Sequence, residues 1–225
     1  MILAAGKGER MRPLTEHAPK PMLKAGGKPL IVHTIERLRA SGITEFLVNL
    51  AYLGEQISDY LGDGRGLGVS IDYSCEPYPL EVGGAIARAL DFFGGEPFIL
   101  ANADVWSDYN FHTLVEKPLG PQELARLLMV QNPGFHQGGD FVLTESGLLS
   151  RAEEGSSDTC TYSGMALISP ALIAEYPLQR EKFALLEVLL YAIDKGALAG
   201  EFYSGEWQDI GTPERLNKLN EQLSD

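Results

Sequence analysis

Cysteine is nearly absent from this chain: Cys75 and Cys160 stand far apart and form neither a CxxC pair nor a Cys/His cluster. That excludes a disulfide framework and a zinc site of ordinary spacing, and it suits free thiols in a reducing, cytoplasmic compartment. Long apolar runs are missing too. Nothing approaches the roughly 20 residues that span a bilayer, and Gly6 and Lys7 end the apolar opening Met1–Ala5 at once, so no signal peptide is read there. Cations are scarce, with 18 Lys and Arg against 31 Asp and Glu and a net charge of −13. That balance argues against nucleic acid or an anionic membrane as partner. There is no internal repeat, no low-complexity tract and no convincing Ser/His/Asp set, and His17, His33, His112 and His136 show no ligand spacing.

Along the first half, short apolar runs alternate with helical patterns. Met1–Ala4 reads as a strand, Leu30–Arg39 as a helix with apolar residues at Leu30, Ile31, Ile35 and Leu38, and Thr44–Leu50 as a buried strand after the stop at Gly42. Gly54–Leu61 reads as a helix, Val69–Ser74 as a strand, Gly84–Phe93 as a helix and Pro97–Ala101 as a strand. Such alternation implies right-handed crossovers and a mostly parallel sheet. The second half is less regular. Strands are expected over Leu124–Gln131, Phe141–Leu149 (broken at Glu145-Ser146-Gly147) and Thr161–Ile168, with a helix over Phe183–Asp194. A hairpin over Leu198–Ile210, turning at Ser204-Gly205, precedes a last helix with Thr212 as N-cap and Pro213 in its first position. The expected fold is α/β, a Rossmann-like three-layer sandwich on a mostly parallel mixed sheet. One domain spans 1–225, with halves of about 1–115 and about 120–225. A strand carrying a phosphate loop usually has about five or six residues, so a few residues ahead of Met1 are expected in the full-length product.

The most informative stretch is Leu3-Ala4-Ala5-Gly6-Lys7-Gly8-Glu9-Arg10-Met11. Small residues and glycines directly after a strand let backbone N–H groups reach phosphate oxygens without side-chain obstruction. The pattern is not GxxxxGK[ST], and Met11 stands where a dinucleotide fingerprint needs its third glycine. Arg10 can add charge-assisted contacts to phosphate. Taken alone, Gly6-Lys7-Gly8 fits an ordinary tight turn as well as a phosphate loop. The chain then continues through Arg12-Pro13-Leu14-Thr15 to Pro19-Lys20-Pro21-Met22, where two prolines hold Lys20 in an extended, low-entropy segment.

LAAGxGxRMxPLT followed by PKP resembles the signature of the sugar nucleotidyltransferases, the nucleoside-diphosphate-sugar pyrophosphorylase family. The resemblance covers the whole chain, because Asn102-Ala103-Asp104 and Trp207-Gln208-Asp209-Ile210-Gly211-Thr212 stand at the family's later motif positions. The C-terminal domain of some members, often a β-helix, is not expected here. The resemblance implies an enzyme that transfers a nucleotidyl group from a nucleoside triphosphate to a sugar 1-phosphate and releases pyrophosphate. Leu3, Ala4, Ala5, Gly6, Lys7 and Gly8 would line the nucleotide, Arg10 and Lys20 would be the catalytic cations, and Asp104 and Asp209 would hold Mg²⁺. Magnesium favours one or two protein carboxylates, with waters and phosphates completing its octahedron. Taken singly, Asp104 also fits a helix cap and Asp209 a turn. Ala103 replaces a glycine usual in the family, a change that matters only if the position needs positive φ.

Further implications follow from the same resemblance. Pro79, Glu81 and Gly83 lie where the family reads the base, and the two halves of the chain would bind nucleotide and sugar in that order. Val105–Phe111 and Asn132–Phe141 resemble the branch that uses UTP and N-acetylmuramate 1-phosphate, in peptidoglycan recycling; Gly139, Asp140 and Glu154 would then face the sugar. The Glu-Lys pair with which hexose-specific members grip the sugar phosphate has no counterpart in Arg151-Ala152-Glu153-Glu154, which leaves Arg151 or Lys182 as substitutes. Within the family, the alternative is a mannose- or glucose-1-phosphate guanylyl- or uridylyltransferase. Outside it, the alternative is a catalytically inactive nucleotide-sugar sensor. Small-molecule substrates are the only partners expected, for a monomer or weak homo-oligomer.

Overall fold

The run Phe46-Leu47-Val48-Asn49-Leu50 is buried at every position, the pattern of a strand covered on both faces. In the structure, a computed structural model that describes every residue except Glu154, Gln179 and Asp225, it belongs to the strand Glu45–Leu50. Ile2–Leu3 and Ser70–Cys75 flank it, both parallel to it. On its other side Ile2 pairs with Ala101, in the strand Phe98–Asn102, again in parallel. The helices Leu30–Ala40 and Gly54–Leu61 join successive strands, and Leu30, Ile31, Ile35 and Leu38 are buried as their spacing requires. The α/β architecture on a mostly parallel mixed sheet is therefore the expected one, and no β-helix follows among the described residues.

The chain divides into two compact units that each draw on separate stretches. One comprises Met1–Pro79, Ala101–Glu116 and Glu206–Asp225; the other comprises Leu80–Leu100 and Lys117–Gly205. The observed units do not follow a single division near residue 115, because Leu80–Leu100 belongs to the second unit and the last twenty residues return to the first.

That return also corrects the hairpin expected over Leu198–Ile210. Leu198–Tyr203 runs parallel to Ala125–Val130 in the second unit, whereas Trp207–Asp209 pairs antiparallel with Val105–Ser107 in the first. Ser204 and Gly205 mark a transfer between units rather than a β-turn. The final helix, Pro213–Gln222, starts as expected, with Pro213 in its first turn and the Thr212 hydroxyl accepting from the Arg215 amide.

In the second unit Ala125–Val130 is wholly buried and also pairs antiparallel with Thr159–Ile168. Phe141–Leu143 and Leu149–Arg151 form a short antiparallel pair around the expected turn. The helix expected over Gly84–Phe93 begins three residues earlier, at Glu81, and tightens to a 3₁₀ turn from Leu90 to Phe93. The glycine pair in this first turn is closely packed. A β-carbon on Gly84 would lie 2.3 Å from the Glu181 carbonyl oxygen, and one on Gly83 would strike the Phe183 ring at 2.4 Å. The glycine pair is therefore a helical seat for residues 181–183. No helix of the described residues is long and apolar enough to cross a membrane.

Candidate active site

The first unit gathers three segments over one small core. Met11, Trp106 and Ile210 are buried together with Ala25, Leu30, Leu216 and Leu219. Each of the three anchors a neighbour of chemical interest: Met11 follows Arg10, Trp106 lies two residues beyond Asp104, and Ile210 follows Asp209. Apolar burial thus fixes the approach of the glycine loop and of both aspartates, and the polar groups stand on a packed floor.

Within the glycine loop, Gly6 and Gly8 are used differently. Gly8 has φ 62°, and a β-carbon there would lie 3.0 Å from Lys20 Cβ and 3.0 Å from Thr15 Cγ2. Thr15 Oγ1 donates to the Gly8 carbonyl at 2.8 Å. A β-carbon on Gly6, in contrast, would meet nothing within 4 Å, so packing does not require glycine there and the space above it stays open. Upstream, the Ala4 amide donates to Asn49 Oδ1 at 2.8 Å, and Asn49 Nδ2 donates to Glu76 Oε1 at 2.7 Å. Asn49 and Glu76 are both buried, and they tie the start of the loop to the adjacent strand Glu45–Leu50 and, through it, to the end of Ser70–Cys75. Sequence reasoning missed this pair. Its available signals were a lone Asn inside an apolar strand and a Glu directly after another.

Lys20 is buried, and its ammonium donates to Asp104 Oδ2. Pro19 is extended as expected, but Lys20 itself opens a 3₁₀ turn, Lys20–Met22, so the extended segment ends one residue earlier than the prolines suggested. The Leu23 amide reaches back to the Lys20 carbonyl and closes that turn. Asp104 is not a helix cap; it sits between the strands Phe98–Asn102 and Val105–Ser107. Ala103 is buried and is not among the residues with positive φ, so alanine costs nothing where the family usually has glycine.

Asp209 lies opposite Val105 in the short antiparallel ladder, and the Ile210 amide donates to the Asp104 carbonyl at 2.9 Å. The two aspartates, about a hundred residues apart in sequence, therefore emerge from adjacent backbone. In each, a cation takes Oδ2: Lys20 Nζ at Asp104, and Arg215 Nη1 at Asp209 at 2.5 Å. Oδ1 of each has no hydrogen bond among the described residues. No group of three or more His, Cys, Asp or Glu is placed to hold a metal among those residues. Two carboxylates with open oxygens are nonetheless a donor set that suits magnesium, which takes its other ligands from water and phosphate. Arg215 was not foreseen from the sequence.

The second unit carries the remaining expected residues, apart from Pro79, which ends the first stretch of the first unit. Glu81 holds φ 61°, unusual for a residue with a side chain, and Lys182 Nζ stands 4.0 Å from its carboxylate. Gly83 is buried beneath Phe183. Gly139 has φ 60°, and a β-carbon there would lie 2.7 Å from Asn132 Oδ1 and from Thr159 Cβ. Both carboxylate oxygens of Asp140 are engaged locally, Oδ1 with His136 Nε2 at 2.9 Å and Oδ2 by the Tyr162 amide at 2.8 Å. Arg151 is committed to Asp194 through Nε and Nη2. Glu154 lies outside the described residues. The cysteines are free, Cys75 exposed and Cys160 buried, and burial pushes the Cys160 thiol above its ordinary range.

An α/β fold with an open glycine loop after its first strand, two fixed cations and two carboxylates on adjacent backbone defines a phosphate-handling enzyme of the nucleotide-binding class. Comparison with known proteins gives the family: residues 1–132 match the nucleotidyl transferase family, and the chain belongs to it. It is 40% identical over 222 residues to an N-acetylmuramate alpha-1-phosphate uridylyltransferase of Neisseria meningitidis, covering 97% of this chain and 95% of that one. A protein of the same description from Caulobacter vibrioides is 32% identical, over 95% and 92% of the two chains. The solved structure of HddC from Yersinia pseudotuberculosis superposes with a TM-score of 0.81 at 26% identity, covering 98% of this chain and 97% of that one.

Proposed function

We propose that this nucleotidyltransferase transfers the uridylyl group of UTP to N-acetylmuramate 1-phosphate, with Mg²⁺, and releases pyrophosphate. The observation that carries the reaction is the pairing of Asp104 with Asp209 across adjacent backbone, each with a cation on one carboxylate oxygen. The likeness to the two uridylyltransferases supports the choice of substrates.

The chemistry asks little of the protein beyond placement and charge. A sugar-phosphate oxygen attacks the α-phosphorus in line, and pyrophosphate leaves on the opposite side. The open backbone at Gly6 lets amides approach the leaving phosphates, and Arg10 adds a guanidinium to them. Lys20, held rigidly by burial and by Asp104, supplies positive charge where the α-phosphate gathers negative charge. Asp104 and Asp209 would hold Mg²⁺, which when bound would supply positive charge that offsets the repulsion between two anionic substrates. In the second unit, Gly139 would offer its backbone to the sugar, Asp140 would fix the loop that carries it, and Glu81 and Gly83 would lie beside the base with Pro79. The retention of Lys20, Asp104 and Asp209 together speaks against an inactive sensor.

Pyrophosphate release over four nucleoside triphosphates and a set of sugar 1-phosphates tests the proposal. The highest kcat/KM is expected for UTP with N-acetylmuramate 1-phosphate, above N-acetylglucosamine 1-phosphate, which lacks only the lactyl group. Equal use of those two sugars, or faster turnover of GTP with mannose 1-phosphate, would refute the substrate assignment. Absence of pyrophosphate release from every pair would refute the reaction.

A further inference from the structure

Arg215 stands where a helix disfavours a cation. It lies in the first turn of Pro213–Gln222, where aligned peptide dipoles present partial positive charge and acidic residues are the stabilising ones. Its guanidinium turns back to Asp209: Nη1 donates to Oδ2 at 2.5 Å and to the backbone carbonyl at 2.9 Å. The pair is shielded, the two side chains being 21% and 23% exposed. Arg10 approaches the same point. A β-carbon on Gly211 would lie 2.8 Å from Asp209 Oδ2, 3.2 Å from Arg10 Nη2 and 3.3 Å from Arg215 Nη1. With Lys20 on Asp104, the protein's own groups set three cations against two carboxylates.

We propose that Arg215, with Lys20, keeps the carboxylate pair neutralised, so that a divalent cation enters as its complex with the nucleoside triphosphate rather than alone. Arg215 then helps to balance the charge of the triphosphate. The inference rests on the reading of Asp104 and Asp209 as metal ligands. Coulomb's law decides its sign: at an effective dielectric of about 20, a positive charge roughly 5 Å from a divalent ion opposes it by roughly ten times the thermal energy, which solvent and neighbouring counter-charges reduce. The rotamer freedom that Arg215 removes from Asp209 is a smaller effect of opposite sign. A triphosphate brings more negative charge than the metal brings positive, so the guanidinium that repels the free ion attracts the complex.

Mn²⁺ is the probe, with its binding to the full chain followed by electron paramagnetic resonance. Arg215→Met is expected to bind free Mn²⁺ about tenfold more tightly than wild type and the Mn²⁺–UTP complex about tenfold more weakly. Arg215→Lys is expected to restore both, because a single nitrogen makes both contacts to Asp209 and an ammonium can supply it. If Arg215→Met weakens both affinities together with a lowered Tm, Arg215 is only a staple of the turn at 209–212 and the proposal is overturned. Unchanged affinities overturn it as well. Asp209→Asn that binds Mn²⁺–UTP as wild type does would overturn the metal-site reading itself, a failure distinct from the other two.

Discussion

Gly8 and Lys20 are in contact across the site: the position a β-carbon would take on Gly8 lies 3.0 Å from Lys20 Cβ. The two sequence motifs that carry them are thus one piece of structure, in which the glycine makes room for the lysine. Gly8→Ala meets that contact and a φ of 62° together, and the left-handed backbone alone costs about 1–2 kcal/mol. The expected result is a lowered Tm and a fall in kcat as Lys20 is displaced. Gly6→Ala meets no neighbour within 4 Å. Its Tm should match wild type while its KM for UTP rises, because the added methyl stands where phosphate would approach. Thermal denaturation beside steady-state kinetics separates the two, and a destabilised Gly6→Ala with normal KM would contradict the phosphate-loop reading.

Asp104→Ala and Asp209→Ala are each expected to lower kcat by about 10²-fold or more, the scale for losing one preorganised charge in a reactive site. Lys20→Ala should reduce kcat more than it weakens nucleotide binding, since charge redistributes at the α-phosphate only in the transition state. Far-ultraviolet circular dichroism checks that each variant is folded. Near-normal Mg²⁺-dependent turnover in either aspartate variant would remove that residue from the metal site. For Lys20→Ala, a pure affinity loss at unchanged kcat would make the lysine a ground-state ligand.

Much of this arrangement was legible in the sequence, and what was not has identifiable physical causes. Strands such as Glu45–Leu50 and the helix Leu30–Ala40 announce themselves because a continuous apolar run and a 3.6-residue spacing each have one stable solution. The hairpin expected after Leu198 failed for a reason that lies outside local pattern. Leu198–Tyr203 and Trp207–Asp209 find their partners in Ala125–Val130 and Val105–Ser107, far away in sequence. Lys20, Asp104 and Asp209 were singled out because they sit in motifs, and the structure sets Lys20 on Asp104 and the two aspartates on adjacent backbone. Arg215 was missed although the sequence holds a hint of it, an arginine in a first helical turn, where the helix gives it no reason to be. Asn49 and Glu76 were missed because a polar residue inside a strand declares that it needs a partner but not which one.

Glu187 offers a test of stability apart from the chemistry. Its carboxylate accepts two contacts of 2.5 Å from Arg180 Nη2 and one of 3.1 Å from the Tyr176 hydroxyl, in the first turn of the helix Leu185–Asp194. The hydrogen bonds from Arg180 hold its pKa below the ordinary glutamate range. A carboxylate depressed in the folded state contributes stability above its unfolded pKa of about 4.3 and loses it as pH falls through the lower folded value. Wild type should therefore exceed Glu187→Gln in Tm at neutral pH, and the gap should close on acidification below about 4.3. A gap that is constant with pH would show that the contact contributes through packing rather than charge.

The glycines at 138 and 139 can be told apart in the same manner, and they bear on the sugar. Gly139 has φ 60°, and a β-carbon there would press on Asn132 Oδ1 and on Thr159. Asn132 is the hub of its loop, since its amide nitrogen donates to the Gln137 and Thr159 carbonyls and to Thr159 Oγ1, and its oxygen accepts from Thr161 Oγ1. Gly139→Ala should therefore loosen the loop as a whole, lowering Tm and raising KM for the sugar 1-phosphate while KM for UTP stays near wild type. Gly138 has no such neighbour within 4 Å, so Gly138→Ala should keep its Tm. If the loop faces the sugar as proposed, the methyl at 138 should still raise KM for N-acetylmuramate 1-phosphate, and raise it less for N-acetylglucosamine 1-phosphate, which asks for less room. Kinetics with both sugars and a melting curve for each variant decide the matter. Gly139→Ala that alters KM for UTP instead, or Gly138→Ala that leaves both sugars unaffected, would move the sugar away from this loop.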